Sequence, residues 1–412
     1  MEPMATSFSA SCLEPKRRSH VRGNMKTSAA HFIILAVVMF LPALGHAQIF
    51  TVIATVENLG IEVSGPVVRD IEGNIYGASS YYGNQSCNQW PFCGFIYKVD
   101  PTGKLTVLYN FRGQPDGAMA MPGLVLDSAG SLYGVTEYGG TYNFGAVFKL
   151  DSEGNETVLH SFAGPPNDGE GPLAGLIADS NGNLYGTTFE GGLQTNCSFG
   201  CGTVFKVTVT GKETVLYRFN GGADGATPFG ASLLLSGGAL YGTTLVGGNT
   251  SGFCQGQGFI PGCGTVFKVD KAGETVLHSF IGTDGIGPVA GVIRDSGGNL
   301  YGTAPGGGDL TCNSGFGCGV VYKLDPSGNE TVLHVFENQQ DGQAPNTALV
   351  FDQDALYGSS EAIFAGGGIF KIDSSGNFSM VYQLPAATST MIGDREDNLY
   401  GVYGDQVFRF AP

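Results

Sequence analysis

Residues 172–219 contain four short apolar runs separated by turn residues: PLAGLIAD (172–179), NLYGTTF (183–189), GTVFKV (202–207) and ETVLYRF (213–219). The runs are rich in Val, Thr, Tyr and Phe, which favour β-strands, whereas Asp, Asn, Ser and Gly fill the turns between them. The stretch has no helical period, so it predicts four consecutive β-strands joined by tight turns.

The same four runs recur along the chain. The Tyr-Gly signature of the second run occurs seven times, at spacings of 43 to 60 residues, with its tyrosines at Tyr76, Tyr133, Tyr185, Tyr241, Tyr301, Tyr357 and Tyr400. The third run follows each time and carries a cation, at Lys98, Lys149, Lys206, Lys268, Lys323, Lys371 and Arg409. Four strands in about 50 residues, repeated in this way, are typical of the blades of a β-propeller.

The two ends of the repeat array complement each other. The last unit stops after its third run, at VFRFAP (407–412), and FTVIATV (50–56) resembles an isolated fourth run. Pairing of these segments predicts an all-β, seven-bladed propeller of four-stranded blades, closed by strand 50–56 so that no sheet edge stays free. A linear β-solenoid is the alternative, but it would not explain complementary ends.

Motifs such as GNLYGTT, GTVFKV and ETVLHSF recur in fixed order over residues 49–412. They resemble the GloVer-type tandem repeat of extracytoplasmic bacterial proteins. The resemblance implies a secreted or surface-displayed propeller-like protein, and it implies no agreed activity.

The N-terminal residues read as a processing segment. From Met25, a lysine, an apolar stretch and small residues before Gln48 match a signal peptide that starts at Met25 and is cleaved after Ala47. Residues 1–47 are therefore interpreted as an N-terminal extension plus signal peptide, and residues 48–412 as a single propeller domain. We expect a periplasmic or extracellular protein without a membrane span after cleavage; an uncleaved anchor is the alternative.

The charge of the domain limits its partners. Residues 48–412 keep 15 of the 20 Lys and Arg residues and 34 of the 36 Asp and Glu residues, a net charge of −19. Such a surface repels phosphate backbones, so we expect no nucleic-acid partner. We expect a monomer with a glycan or an extracellular protein as its partner.

Eight of the nine cysteines lie in this domain, two in each of four loops between the second and third runs. An even number of cysteines in an exported chain favours disulfides, here Cys87–Cys93, Cys197–Cys201, Cys254–Cys263 and Cys312–Cys318. A zinc site would need further ligands, and these loops contain no histidine. A thioredoxin-like site would need a C-x-x-C spacing, which is absent.

The long loops of the blades are predicted to lie on one side of the ring. The loop between strands two and three and the crossing to the next blade emerge together in each blade, and we call this side the long-loop face. Variable loops on a rigid scaffold commonly carry binding sites, so we expect one here, around the central channel. Its aromatic candidates are Trp90, Phe92, Tyr142, Phe199, Phe259 and Phe316.

Five crossings contain an Asp-Gly pair, with the carboxylates at Asp116, Asp168, Asp224, Asp284 and Asp341. They are binding candidates if they form a ring that holds a cation or sugar hydroxyls. The alternative is turn chemistry, in which each carboxylate bonds its own backbone. For the third-run lysines we expect ion pairs with the aspartates that end strand one.

The histidines of the domain, His160, His278 and His334, share one position in strand four with tyrosines of other units. We interpret this position as packing with a polar tip, because histidines of different blades would be too far apart to share a metal. The sequence predicts no metal site and no cofactor, and it indicates no catalytic residue. The known motifs of serine hydrolases, zinc proteases and P-loop proteins are absent.

These observations favour a secreted binding module that recognises a glycan or a protein through the long-loop face. One alternative is a polysaccharide hydrolase or lyase that uses carboxylates of the blade crossings. The other is a structural surface protein.

Overall fold

Each repeat folds into an antiparallel sheet, and the computed structural model describes residues 48–55, 66–80, 93–230, 232–256, 261–337, 341–361, 367–384 and 388–412. Strand β1 (Ile49–Thr55) comes first along the chain. Blade 1 then consists of β2 (Val68–Arg69), β3 (Ile75–Ser79), β4 (Phe95–Val99) and β5 (Leu105–Asn110). Blade 2 consists of β6 (Gly117–Ala120), β7 (Val125–Leu126), β8 (Leu132–Gly139), β9 (Ala146–Leu150) and β10 (Glu156–Ser161).

Blade 3 contains β11 (Gly169–Glu170), β12 (Ile177–Ala178), β13 (Leu184–Thr188), β14 (Glu190–Gly191), β15 (Thr203–Val207) and β16 (Glu213–Arg218), with β11 and β14 forming a separate two-stranded ladder. Blade 4 consists of β17 (Leu234–Ser236), β18 (Ala239–Thr244), β19 (Thr265–Asp270) and β20 (Gly273–Ser279). Blade 5 consists of β21 (Ile293–Arg294), β22 (Leu300–Ala304), β23 (Val320–Leu324) and β24 (Glu330–Val335).

Blade 6 consists of β25 (Val350–Asp352), β26 (Ala355–Ser360), β27 (Gly367–Ile372) and β28 (Phe378–Leu384), and blade 7 begins with β29 (Ile392–Gly393), β30 (Leu399–Tyr403) and β31 (Gln406–Ala411). Two short 3-10 helices, Gly252–Gly256 and Asn313–Gly315, lie in loops between strands two and three. Within the described ranges, the structure contains no helix that is both long and apolar enough to span a membrane.

The N-terminal strand completes blade 7, in the strand order β1-β31-β30-β29. Phe50 lies opposite Phe410 and Thr51 opposite Arg409, in an antiparallel register. The prediction of ring closure is therefore confirmed; Val56, at the end of the predicted strand, lies outside the described residues.

The glycine of the Tyr-Gly signature leaves room for an aromatic ring of strand three. A Cβ atom on Gly186 would lie 2.6 Å from the ring of Phe205, and Gly242 has the same relation to Phe267. Real Cβ atoms do not approach other atoms so closely, so the ring and any larger side chain exclude each other. This packing explains why the glycine accompanies every tyrosine of the signature.

Phenylalanines at the ends of the fourth runs hold neighbouring blades together. Phe162 of blade 2 packs edge-to-face on Phe205 of blade 3, with 5.0 Å between ring centroids, and both side chains are fully buried. Phe219 and Phe267 repeat the contact at 5.1 Å. The hydrophobic core therefore lies mainly between blades, where each buried aromatic side chain contributes roughly 2–3 kcal/mol.

The aspartate that ends strand one organises its own turn. Asp179 accepts hydrogen bonds from the backbone N–H groups of Asn181 and Asn183, both at 2.9 Å, and from the hydroxyl of Tyr185 at 3.0 Å. Burial alone would raise the pKa of Asp179, but these hydrogen bonds outweigh burial and the pKa is lowered.

The prediction that the third-run lysines form ion pairs with these aspartates is wrong, because five of these lysines contact tyrosine rings. Lys206 instead covers the face of the Tyr185 ring, with Nζ 5.5 Å from the centroid. The hydroxyl of the same tyrosine donates to Asp179, so Tyr185 contacts both the cation and the carboxylate. Equivalent lysine–tyrosine contacts form at Lys98, Lys149, Lys323 and Lys371.

Candidate functional site

The loops of the long-loop face are joined by backbone hydrogen bonds. Gly192, in the loop after strand two of blade 3, donates to the carbonyl of Asp168 in the preceding crossing at 2.8 Å. Gly248 and Gly222 repeat this contact at 2.8 Å in the next blade. The two kinds of loop therefore form one continuous surface, as the strand order predicts.

Disulfides close three of the described loops between strands two and three. The pairs Cys197–Cys201, Cys254–Cys263 and Cys312–Cys318 form as predicted. Cys93 is also disulfide-bonded, but Cys87 lies outside the described residues, so that pairing stays a prediction. Because the cross-links are local, they restrict the shapes of these glycine-rich loops.

Three of the six aromatic candidates lie exposed on described loops: Phe199 is 66% exposed, Tyr142 57% and Phe316 40%. Phe199 and Phe316 occupy equivalent positions within two disulfide loops. The backbone carbonyl of each accepts a hydrogen bond at 2.9 Å, from Gly191 and Gly307 respectively. The remaining aromatic candidates lie outside the described residues: Trp90, Phe92 and Phe259.

The Asp-Gly carboxylates are turned back into their own crossings. Asp168 accepts hydrogen bonds from the N–H groups of Ala163 at 2.9 Å and Gly169 at 2.7 Å, and lies 3.1 Å from Nε2 of His160. The same pairing joins Tyr109–Asp116, Tyr217–Asp224, His278–Asp284 and His334–Asp341, at 2.9 to 3.0 Å. The strand-four histidine or tyrosine and the crossing aspartate therefore form one structural unit in each of blades 1 to 5.

A cluster of glutamates lies on the long-loop face between blades 2 and 3. The ladder of β11 and β14 places Glu170 directly opposite Glu190. Burial first, and then the charge of the nearby Glu137 in β8, raise the pKa of Glu190. Like charges directly opposite each other destabilise a sheet, and such local conflicts are typical of functional positions.

Burial and mutual repulsion shift these carboxyl groups toward their protonated forms. Burial first, and then the charge of Glu190, raise the pKa of Glu170 to about 7. Burial also raises the pKa of Glu137, although a hydrogen bond with Tyr138 opposes the shift. Near neutral pH the cluster therefore offers both a hydrogen-bond donor and several acceptors.

Aromatic rings flank the glutamate cluster. Phe189 directly precedes Glu190 and packs edge-to-face on Phe229, with 5.7 Å between centroids. Phe229 is 39% exposed. Carboxyl groups beside aromatic rings can bind a sugar, because the carboxyl groups bond its hydroxyls and the rings cover its apolar face.

The centre of the ring is lined by small residues. A cavity of about 270 Å³ is surrounded by segments of all seven units, including Pro66, Gly175, Ser232 and Thr390, and none of its lining residues is charged. A Cβ atom on Gly123 would lie 2.6 Å from the Cα atom of Gly175. We therefore place the candidate site on the loops of the long-loop face.

The glutamate cluster was not predicted from the sequence. Its signal is a departure from the repeat: Glu170 and Glu190 stand where the next unit has Ala226 and Val246, which form the equivalent bridge. Searching for residues that break a repeat, and not only for those that follow it, would have identified the pair.

The model of the Gloeobacter/Verrucomicrobia repeat family matches the chain over residues 41–255 and 196–407. Together the two matches span most of the chain. None of the curated proteins compared with the chain matches it.

Solved propellers share the fold at low sequence identity. Virginiamycin B lyase from Staphylococcus aureus superposes with a TM-score of 0.57 and 14% identity, over 89% of this chain and 99% of the lyase. The extracellular domain of BT4673 from B. thetaiotaomicron, a protein assigned to the one component systems, gives a TM-score of 0.55 and 11% identity. That match covers 89% of this chain but 40% of the other. At such identities the likeness establishes the fold alone.

Proposed function

The chain belongs to the Gloeobacter/Verrucomicrobia repeat family, and we propose that it is an exported β-propeller that binds a glycan through its long-loop face. The observation that carries the proposal is the pair of equivalent exposed rings, Phe199 and Phe316, each held within a disulfide loop. Rings that are fixed before binding lose little conformational entropy when a sugar stacks on them.

The charge of the protein supports a neutral or basic glycan. The predicted domain carries an excess of 19 acidic residues, from 34 Asp and Glu against 15 Lys and Arg. Three of these acidic residues lie on the binding face itself: Glu137, Glu170 and Glu190. Such a surface repels uronic acids and sulfated sugars, whereas neutral hydroxyls and amino-sugar ammonium groups can bond to carboxylates.

The disulfides support the exported location. Disulfides persist in oxidising compartments and are rare in the bacterial cytosol, so three described cross-links favour a protein that folds outside the cytoplasm. The signal-peptide pattern of residues 25–47 agrees with this location.

A second candidate function is hydrolysis of a polysaccharide. The observation that favours it is the opposed pair Glu170 and Glu190, because a carboxyl group with a pKa of about 7 beside a second carboxylate suits general acid–base catalysis. The five Asp-Gly carboxylates give this alternative no support, since each is hydrogen-bonded to the strand-four tyrosine or histidine of its own blade.

The test is a glycan array probed with the purified protein, followed by calorimetry on the glycans that bind. We expect neutral or amino-sugar glycans among them, and a loss of at least about fivefold in affinity for Phe199→Ala/Phe316→Ala, as about 0.5–1.5 kcal/mol for each ring predicts. Phe351→Ala is the matched control, because Phe351 is 38% exposed but lies in strand one of blade 6.

The outcomes distinguish the candidates. If the protein releases reducing ends from a polysaccharide and Glu170→Gln abolishes this release, the result would favour the hydrolase. Capture of a purified extracellular protein without any glycan binding would favour a protein partner. Absence of any ligand in both screens would favour a structural surface protein.

A further inference from the structure

A cluster of polar side chains recurs where neighbouring blades meet. Each cluster joins the strand-four histidine or tyrosine and the crossing aspartate of one blade to the glutamate that begins strand four of the next blade. We call it a seam cluster. Its glutamates are Glu156, Glu213, Glu274 and Glu330, and each has a buried Oε1 atom without a hydrogen-bond partner among the described residues.

The cluster between blades 2 and 3 has the composition and closeness of a metal site. The nitrogen of His160 and carboxylate oxygens of Asp168 and Glu213 all lie within 4.8 Å of one another. Nε2 of His160 lies 3.1 Å from Oδ2 of Asp168. Zinc bonds of about 2.0–2.2 Å place neighbouring ligand atoms roughly 3–4 Å apart, so small side-chain movements would complete the geometry.

We propose that His160, Asp168 and Glu213 bind one divalent transition-metal ion, for which Zn²⁺ is the best match to the donor set. One imidazole nitrogen and two carboxylate oxygens are ligands that Zn²⁺ commonly takes in proteins. The ion would also give the buried Oε1 of Glu213 the partner that the described protein groups do not supply.

The surroundings hold these ligands in place. The ring of His160 packs edge-to-face on Phe162, with 4.8 Å between centroids, and backbone N–H groups fix Asp168. Both side chains are largely buried, His160 being 18% and Asp168 14% exposed. The charge of Arg218 also acts on Glu213, but its guanidinium already donates to the Asn167 carbonyl at 2.6 Å. Preorganised ligands with fixed second partners favour metal binding.

Three of the other four seams with a crossing aspartate lack one element of this arrangement. Tyr109 and Tyr217 replace the histidine at two of them, and a neutral phenol is a poor ligand for Zn²⁺. Phe378 replaces the glutamate at a third and stacks on His334, with 3.6 Å between centroids.

The remaining seam has the same residue types, His278, Asp284 and Glu330. Within the described part of the chain, however, only the His160 cluster brings its three ligand atoms within 4.8 Å of one another. We therefore infer one site per chain, at the seam of blades 2 and 3.

The repeat supplies the matched variants for the test. His160→Tyr introduces the residue that equivalent positions of blades 1 and 3 already carry, so the fold should tolerate it. Glu213→Gln removes the second carboxylate, and His278→Tyr makes the same change as His160→Tyr at the other seam. Thermal unfolding in EDTA checks that all three variants are folded.

The experiment is calorimetric titration of tag-free, EDTA-stripped protein with ZnCl₂. We expect one Zn²⁺ per chain, at least tenfold weaker binding for His160→Tyr and Glu213→Gln, and unchanged binding for His278→Tyr. Absence of stoichiometric binding would overturn the proposal. The proposal would also be overturned if His160→Tyr and Glu213→Gln still bind Zn²⁺ as tightly as the unsubstituted protein, or if His278→Tyr loses binding.

Discussion

Replacing Phe50 with alanine should weaken the closure of the ring. Phe50 stacks on Tyr382 of blade 6 at 4.3 Å and on Phe408 of blade 7 at 4.9 Å, so one side chain of β1 joins two blades. A fully buried Phe→Ala change costs about 3–5 kcal/mol. Because Phe50 is only half-buried, we expect Phe50→Ala to lower the free energy of unfolding by about 2 kcal/mol.

The assay is urea unfolding followed by circular dichroism, with Ile49→Ala as the control. Ile49 lies in the same strand but is 53% exposed, so its replacement should change stability by less than about 0.5 kcal/mol. Deleting residues 48–55 should go further and make residues 388–412 sensitive to protease, because β31 would become a free edge. Equal unfolding midpoints for Phe50→Ala and Ile49→Ala would refute the closure argument.

Three further predictions follow from the packing, the disulfides and the seam clusters. Gly186→Ala should destabilise the protein by about 1–3 kcal/mol, because its Cβ atom would collide with Phe205. Gly222→Ala should not destabilise it, because the nearest atom to the new Cβ would be 3.9 Å away. Thermal unfolding of the two variants tests this difference. The double variant Cys197→Ser/Cys201→Ser should have a free energy of unfolding lower by about 2 kcal/mol, by the loop-closure relation, and should be cleaved by protease between residues 192 and 201. A stability equal to that of the unsubstituted protein under oxidising conditions would contradict this prediction. Burial, and then the charges of Asp116 and Asp224, raise the pKa of Glu156 and Glu274 to about 7. Because the folded state binds these protons more tightly than the unfolded chain, the free energy of unfolding should fall as pH rises from about 4.5 to 7. Urea unfolding midpoints measured across this pH range test the prediction, and the double variant Glu156→Gln/Glu274→Gln should show a weaker pH dependence.

The fold was predictable because each blade repeats the same local rules. Alternating apolar residues, turn aspartates and the Tyr-Gly signature all specify the same four strands, and the incomplete units at both ends specify closure. Loop disulfides were predictable for the same reason, because each pair of cysteines lies within one loop.

The candidate sites were less predictable because they depend on contacts between blades. Glu213 lies 53 positions after His160, and only the angle between neighbouring blades brings them together. The lysine partners were missed for a related reason: a mid-strand cation suggests a carboxylate, but Lys206 contacts the ring of Tyr185, whose hydroxyl donates to Asp179. Repetition predicts what the units share, whereas function depends on where one unit differs from the others.

Hydrogen–deuterium exchange of the protein with a bound neutral or amino-sugar oligosaccharide would test the central claim most directly. We predict protection in the loops that carry Tyr142, Phe199 and Phe316, and no change in the short turns 151–155 and 325–329 on the opposite side. Protection confined to those short turns, or no protection with any glycan of the panel, would contradict recognition through the long-loop face.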